Sequence, residues 1–253
     1  MIPEEIPIYC VIFLYGIVIG SFLNVCMVRL PLGESVVTTR SHCMQCGHLL
    51  KWYELIPIVS YVMLLGRCKV CKEKISPRYP IIEGVNGGIY VGIFLVNGMN
   101  LSSVLYCLLF SILLVASVID FTSYEIPNGC SILILILGLI HVGLDFSNWG
   151  YYLVGFFSVS FVLELILLIS KGRAMGGGDV KLMAACGLLL GWDKIVLGFL
   201  FACVLGAGLH LIRMKFFHAG KRLAMGPYLS IGVMCAALWG RQIMDWYFGL
   251  LIL

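Results

Sequence analysis

Long, unbroken apolar runs separated by short polar joints make up most of this chain. An α-helix needs about 20 mostly apolar residues to cross a bilayer. The pattern predicts eight such helices, at about residues 7–30, 80–97, 101–120, 129–146, 150–170, 179–193, 194–214 and 227–250. The second is Gly-rich and contains Glu83 and Asn86, and the sixth is short. The runs are continuous and do not alternate, which favours helices over a barrel. No internal repeat stands out. One long hydrophilic stretch, Pro31–Tyr79, interrupts the pattern and contains four cysteines. The chain therefore divides into a first transmembrane helix (1–30), a small extramembrane domain (31–79) and a membrane-embedded domain (80–253).

Composition agrees with this. Hydrophobic residues make up 61% and charged residues 12%, against about a half and about a quarter in soluble domains. Too little polar surface remains for a water-soluble globule. The fold class is an all-α polytopic membrane protein of about eight transmembrane helices, with the lipid bilayer as its surroundings. The formal charge of +4 is modest, and its distribution does not suggest nucleic-acid binding. Met1 to Glu5 carries two acids and no base. It lacks the basic start of a signal peptide, so the first run reads as a retained span.

Cytoplasmic loops collect Lys and Arg. With the N-terminus outside, the inner segments hold Arg29, Arg40, Lys51, Arg67, Lys69, Lys72, Lys74, Arg78, Lys171, Arg173, Lys181, Arg213, Lys215, Lys221 and Arg222. Only Lys194 and Arg241 fall elsewhere. The cysteine domain and the loops 120–128 and 171–178 are then cytoplasmic.

Within that domain, Cys43-Met44-Gln45-Cys46 is followed by Cys68-Lys69-Val70-Cys71. Two CxxC pairs at this separation have the spacing of a four-thiolate structural zinc site. Nearby Lys and Arg favour thiolates, and a reducing cytosol disfavours disulfides. Redox or incidental cysteines are the alternatives. His42 and His48 could substitute as ligands, but neither is needed. So small a domain has little core, and zinc would supply much of its folding energy. The other cysteines lie in apolar runs and read as small buried hydrophobes.

Two aspartates stand at predicted helix ends. Asp120 closes the third span, and Asp179 opens the sixth after Gly176-Gly177-Gly178. The topology puts both at one boundary, where packing could join them. Carboxylates in contact share a proton. One can then take a proton from water while the other donates to a carbonyl and later to a leaving amine. That would be peptide hydrolysis. Helix dipoles would favour an ionised Asp179, the base, and a protonated Asp120, the acid. The glycines should allow close approach and strained angles beside Asp179. The alternative reading of both residues is as interfacial helix caps. No phosphate-binding loop pattern is present.

Other polar residues read more plainly. Asn24, Glu83 and Asn86 suit helix-to-helix hydrogen bonds. Lys181 points away from Asp179, Glu164 has no assigned role, and Asp145 and Asp193 are solvated loop ends. Arg241 and Asp245 form an i,i+4 pair. His141 and His210 are packing residues.

These residues resemble the type IV prepilin peptidase family, the bifunctional leader peptidases and N-methyltransferases. The resemblance covers nearly the whole chain. It rests on Gly20-Ser21-Phe22-Leu23-Asn24-Val25 with Arg29-Leu30-Pro31, the two CxxC pairs, and Ile56-Pro57-Ile58-Val59-Ser60-Tyr61 with Gly66-Arg67-Cys68. It continues through Ile75 to Glu83, Ile119-Asp120 with Ile126-Pro127-Asn128, Gly176 to Lys181, and Gly226-Pro227-Tyr228. Met44-Gln45 departs from the Pro found after the first Cys in many members, leaving the ligands intact. The resemblance implies that Asp120 and Asp179 are the catalytic pair of a GxGD intramembrane protease. It implies prepilin or pseudopilin substrates, cut on the cytoplasmic side after a Gly. The new N-terminus would then be methylated from S-adenosylmethionine. No Rossmann fingerprint for that donor is visible, and its site is expected near Gly66 and Glu83. A proton- or cation-coupled transporter using the same aspartates is the rival reading, and a zinc module that only recruits partners is another. The pilin served and the oligomeric state are not legible.

Overall fold

The computed structural model describes residues 5–173, 175–217 and 223–251, and the side chains of Phe217 and Leu251 are outside the description. Met1–Glu4, used above for the retained-span reading, and Lys221 and Arg222, used for orientation, lie outside the described residues. Nine α-helices form among the described residues: α1 Ile6–Arg29, α2 Val59–Met63, α3 Arg78–Asn97, α4 Leu101–Ser123, α5 Asn128–Leu144, α6 Trp149–Ser170, α7 Gly177–Leu190, α8 Trp192–Phe217 and α9 Gly226–Leu251. No strand forms among the described residues; only two isolated bridges do.

All but the short α2 coincide with the eight predicted runs. Five candidate spans, α1, α3, α4, α6 and α8, are long and apolar enough to cross a bilayer. Of the rest, α5 has 17 residues, α7 has 14, and α9 carries Arg241 and Asp245. The outer faces of these helices are apolar: Val11, Leu14 and Val18 on α1 and Val154, Phe157 and Phe161 on α6 are all exposed. Water would not tolerate such surfaces, and lipid does. The protein is a multi-pass membrane protein.

Helix ends follow local chemistry. Asn100 caps α4, its side chain accepting the Ser103 N–H at 2.8 Å. Tyr124, left-handed at φ 57°, closes α4 and donates its N–H to Asp120 O at 2.8 Å. Gly191, at φ 87°, separates α7 from α8.

The chain forms two compact units, Met1–Met99 and Asn100–Leu253. In the first, α1 and α3 cross closely. A Cβ on Gly16 would lie 2.6 Å from Gly87 Cα, and one on Gly20 would lie 2.8 Å from Glu83 Cα. As expected, Asn86 and Asn24 bond across helices, donating to Gly16 O at 2.8 Å and to Tyr79 O at 3.1 Å.

In the second unit α7 is central. Every residue from Asp179 to Leu190 is buried except Lys181. Around it, α5, α6, α8 and α9 pack, and α4 lies against α5 and α9. Ser117 of α4 and Ser230 of α9 share a hydrogen bond of 2.7 Å.

Polar residues at the opposite end from the aspartates are engaged, not simply solvated. Tyr152 donates to Asp145 at 2.7 Å, and Tyr151 donates to Asp193. His141 packs edge-on against Tyr152, with ring centroids 5.2 Å apart. Of the described ion pairs, none joins Arg241 to Asp245.

Candidate active site and metal centre

The segment Ser41–Ile75 builds two matching knuckles in the first unit. In one, Cys43 N–H donates to His48 O at 2.9 Å and Gly47 N–H to Cys43 O at 2.9 Å. In the other, Cys68 N–H donates to Glu73 O at 2.8 Å and Lys72 N–H to Cys68 O at 3.0 Å. Each turn needs a left-handed residue, Gly47 at φ 68° and Lys72 at φ 61°. Each is closed by a bridge, His42 to Leu49 and Arg67 to Lys74. The repeat marked by the two CxxC pairs thus extends to the backbone around each.

The knuckles bring Cys43, Cys46, Cys68 and Cys71 together, with all four sulfurs within 4.8 Å of one another. Cys43 and Cys71 Sγ are 3.8 Å apart, and Cys46 and Cys68 Sγ 4.0 Å. A tetrahedral ion with zinc–sulfur bonds of about 2.3 Å requires sulfurs about 3.8 Å apart. All four are free thiols, not disulfides. The set fits a tetrahedral metal ion. The backbone N–H groups of Cys46 and Gln45 pull the Cys43 thiol down to about 6. Backbone amides, not flanking Lys and Arg, favour this thiolate. Cys71 also feels the Glu73 N–H, but desolvation and the neighbouring sulfurs outweigh it and push this thiol up to about 12. Four packed sulfurs lose one proton easily and the last only with difficulty, unless a cation lies among them. His48 is not a ligand: it pairs with Glu54 at 3.2 Å.

Gly66 and Glu83 engage different ends of the segment 58–66. Gly66 stands at φ 65°, and a Cβ there would lie 2.8 Å from Tyr61 Oη. Buried Glu83 accepts the Ile58 N–H at 2.7 Å. Nearby, Asn24 Oδ1 and Arg78 Nε and Nη2 are buried without hydrogen-bond partners.

The aspartates are brought together at one end of the second unit. Asp120 and Asp179 are 5% and 8% exposed, and the charge of Asp120 is felt at Asp179. The surrounding chain fixes this approach. A Cβ on Gly178 would lie 3.1 Å from Ile126 Cβ, in the loop after Asp120. Lys181 turns away from Asp179, as expected, and donates to Asn128 Oδ1 at 3.0 Å. The glycines act only partly as foreseen. None of Gly176, Gly177 and Gly178 takes a positive φ, so close approach at Gly178 is their contribution and strain is not.

The two carboxyl groups differ in hydrogen bonding. Asp120 Oδ2 accepts the Gly226 N–H at 2.7 Å. Gly226 is the first residue of α9, so the positive end of that helix also faces Asp120. Asp179 Oδ1 is buried without a partner. A hydrogen bond to a charged group contributes about 1.5–3 kcal/mol, against about 0.3–1 kcal/mol for a charge at an exposed helix end. The bond to Asp120 therefore weighs against the acid and base roles expected from dipoles alone, while the Gly176 backbone also bonds to the Asp179 carboxyl. Gly226 is the residue whose role sequence reasoning missed: its motif is visible, but nothing local ties it to Asp120.

Comparison with known proteins yields a consistent picture. Residues 14–97 match the family model described as the bacterial Peptidase A24 N-terminal domain, and residues 107–211 match that of the type IV leader peptidase family. A protein of Pseudomonas putida named prepilin leader peptidase/N-methyltransferase is 34% identical, covering 90% of this chain and 89% of that protein. Its namesake in Pseudomonas aeruginosa is 33% identical over 95% of this chain and 93% of that protein. Another in Aeromonas hydrophila is 30% identical over 94% and 93%. No solved structure matches the chain.

Proposed function

Because the chain belongs to the type IV leader peptidase family, we propose that it cleaves prepilins and pilin-like pseudopilins and then N-methylates the new N-terminus. The observation that carries the cleavage reading is the pair Asp120 and Asp179, buried at one end of the second unit and close enough for their charges to interact.

In this reading Asp120 is the resting carboxylate and base, supported by the Gly226 N–H. Asp179 holds the proton, consistent with its unpartnered Oδ1. A water molecule loses a proton to Asp120 as its oxygen bonds to the scissile carbonyl carbon. Asp179 donates its proton to the carbonyl oxygen. As the C–N bond breaks, Asp120 passes its proton to the leaving amine, and the hydroxyl proton returns to Asp179. Both residues end as they began.

S-adenosylmethionine supplies the methyl group when bound. Its site belongs in the first unit near Gly66 and Glu83, where the free atoms of Asn24 and Arg78 offer an acceptor and donors. Cys43, Cys46, Cys68 and Cys71 would hold a structural zinc ion. The functional division is a first transmembrane helix, 1–30, a zinc domain, 31–79, and the protease, 80–253. The Lys and Arg asymmetry supports placement in the inner membrane of a bacterium, with both sites cytoplasmic.

The test is prepilin cleavage by Asp120→Asn and Asp179→Asn made separately. Each should lose about 10³-fold or more in kcat. Wild-type-like cleavage by either variant would remove the dyad.

A further inference from the structure

Helices α5 and α6 are pinned to α7 at its far half. Gly155 of α6 meets Gly187 of α7 backbone to backbone, and a Cβ on Gly138 of α5 would lie 3.2 Å from the Leu188 side chain. Toward the aspartates the three helices leave a groove of ≈ 670 Å³, bordered by Asn128 to Leu135, Phe156 to Glu164 and Val180 to Ala185. Its head is Val180 and Lys181, immediately after Asp179. Ser131 and Ala184 give it a floor of small residues, and Phe157 forms an exposed apolar wall.

Two polar groups in the groove lack partners. Ser131 is 7% exposed, and its Oγ has no hydrogen bond. Glu164 is exposed and forms none of the described ion pairs. It precedes the end of α6 at Ser170 by six residues, about 9 Å along the helix axis. A carboxyl group facing hydrocarbon is costly, so the groove is suited to an occupant that is apolar yet brings a hydrogen-bond donor.

We propose that this groove seats the apolar helix of the prepilin substrate, beginning at the first turn after the scissile bond. The inference rests on the peptidase reading. A bond cut beside Asp179 leaves a helix that must continue into the bilayer from that point, and the groove starts there and runs that way. Small residues at Ser131 and Ala184 let a helix backbone approach closely, as at helix contacts in lipid. Glu164, the exposed polar group of the groove, receives a donor from the substrate helix one to two turns past the cut. An acyl chain would fill the apolar volume but leave Glu164 unsatisfied.

The test places the photo-crosslinking residue p-benzoylphenylalanine at Phe157 in full-length Asp179→Asn protein in proteoliposomes with intact prepilin. Phe248, equally exposed on α9, is the control site. Irradiation should give at least about tenfold more adduct at Phe157, mapping to the first two turns of the substrate helix. In active enzyme, Glu164→Gln should raise KM for intact prepilin about tenfold, the loss of one charge-assisted hydrogen bond. Equal adducts at both sites, adducts to lipid alone, or an unchanged KM would overturn the proposal. The two readings fail differently. Wild-type protein that cleaves no prepilin removes the peptidase reading, whereas cleavage without substrate adducts at Phe157 removes only the groove.

Discussion

Asp120 Oδ2 accepts the N–H of Gly226 at 2.7 Å across 106 residues of chain. The contact leaves no room for a side chain: a Cβ on Gly226 would lie 2.8 Å from Asp120 Oδ2 and 3.0 Å from its Cβ. Gly226→Ala must displace the carboxylate or the start of α9. Cleavage kcat is expected to fall about 100-fold, the order seen for a misplacement of about 1 Å. Methylation of an already cleaved pilin should persist, and single-turnover assays of the two reactions check both halves.

Metal content tests the knuckles. Purified protein should contain one zinc per chain, and Cys68→Ser, at the most buried of the four sulfurs, should lose it. Zinc binding is folding energy in so small a module. Limited proteolysis within residues 31–79 should then quicken by about tenfold or more, while the second unit keeps its cleavage pattern. Mass spectrometry of the fragments reads this directly.

Glu54 gives the same module an acid sensitivity. The Lys51 N–H, at 2.8 Å, is the main cause holding its carboxyl below the usual range, with the His48 side chain adding to it. A carboxyl whose folded value is depressed stabilises above its unfolded value and loses that contribution as pH falls through the folded one. Wild-type protein should therefore resist proteolysis better than Glu54→Gln near neutral pH. The difference should shrink below the ordinary value of 4.5 and vanish in stronger acid. A gap that persisted at low pH would contradict the assignment.

The α6–α7 crossing should not tolerate a methyl group. A Cβ on Gly155 would meet Gly187 O and lie 2.7 Å from Gly191 C, whereas one on Gly150, also in α6, would meet nothing within 4 Å. Overpacking of this kind costs about 1–3 kcal/mol. Gly155→Ala is expected to lower the thermal midpoint by several degrees in detergent, and Gly150→Ala to leave it unchanged.

The helices were legible because lipid demands long apolar runs, and each predicted run became one. Helix α7 looked weak because a helix buried on every side shows neither an amphipathic pattern nor the length of a lipid-facing span. The aspartates were legible as isolated acids at helix ends. The hydrogen bond that distinguishes them was not, because its donor, Gly226, is a backbone amide with no chemical signature and is distant in sequence. The CxxC pairs announced the two knuckles, but how far the match extends past them was hidden for a related reason. Gly47 and Lys72 occupy equivalent left-handed positions, but the shared feature is a backbone angle, not a residue type.

The 14 residues of α7 amount to about 21 Å of rise, while the hydrocarbon layer is about 30 Å thick. Its Leu190 end is tied beside Tyr151 of α6 through Gly191, and α7 alone falls about 9 Å short of that thickness. A span that short is met by local thinning of lipid or by an aqueous notch at one end. At the aspartate end, such a notch would bring water, the second reactant of a peptidase, within reach.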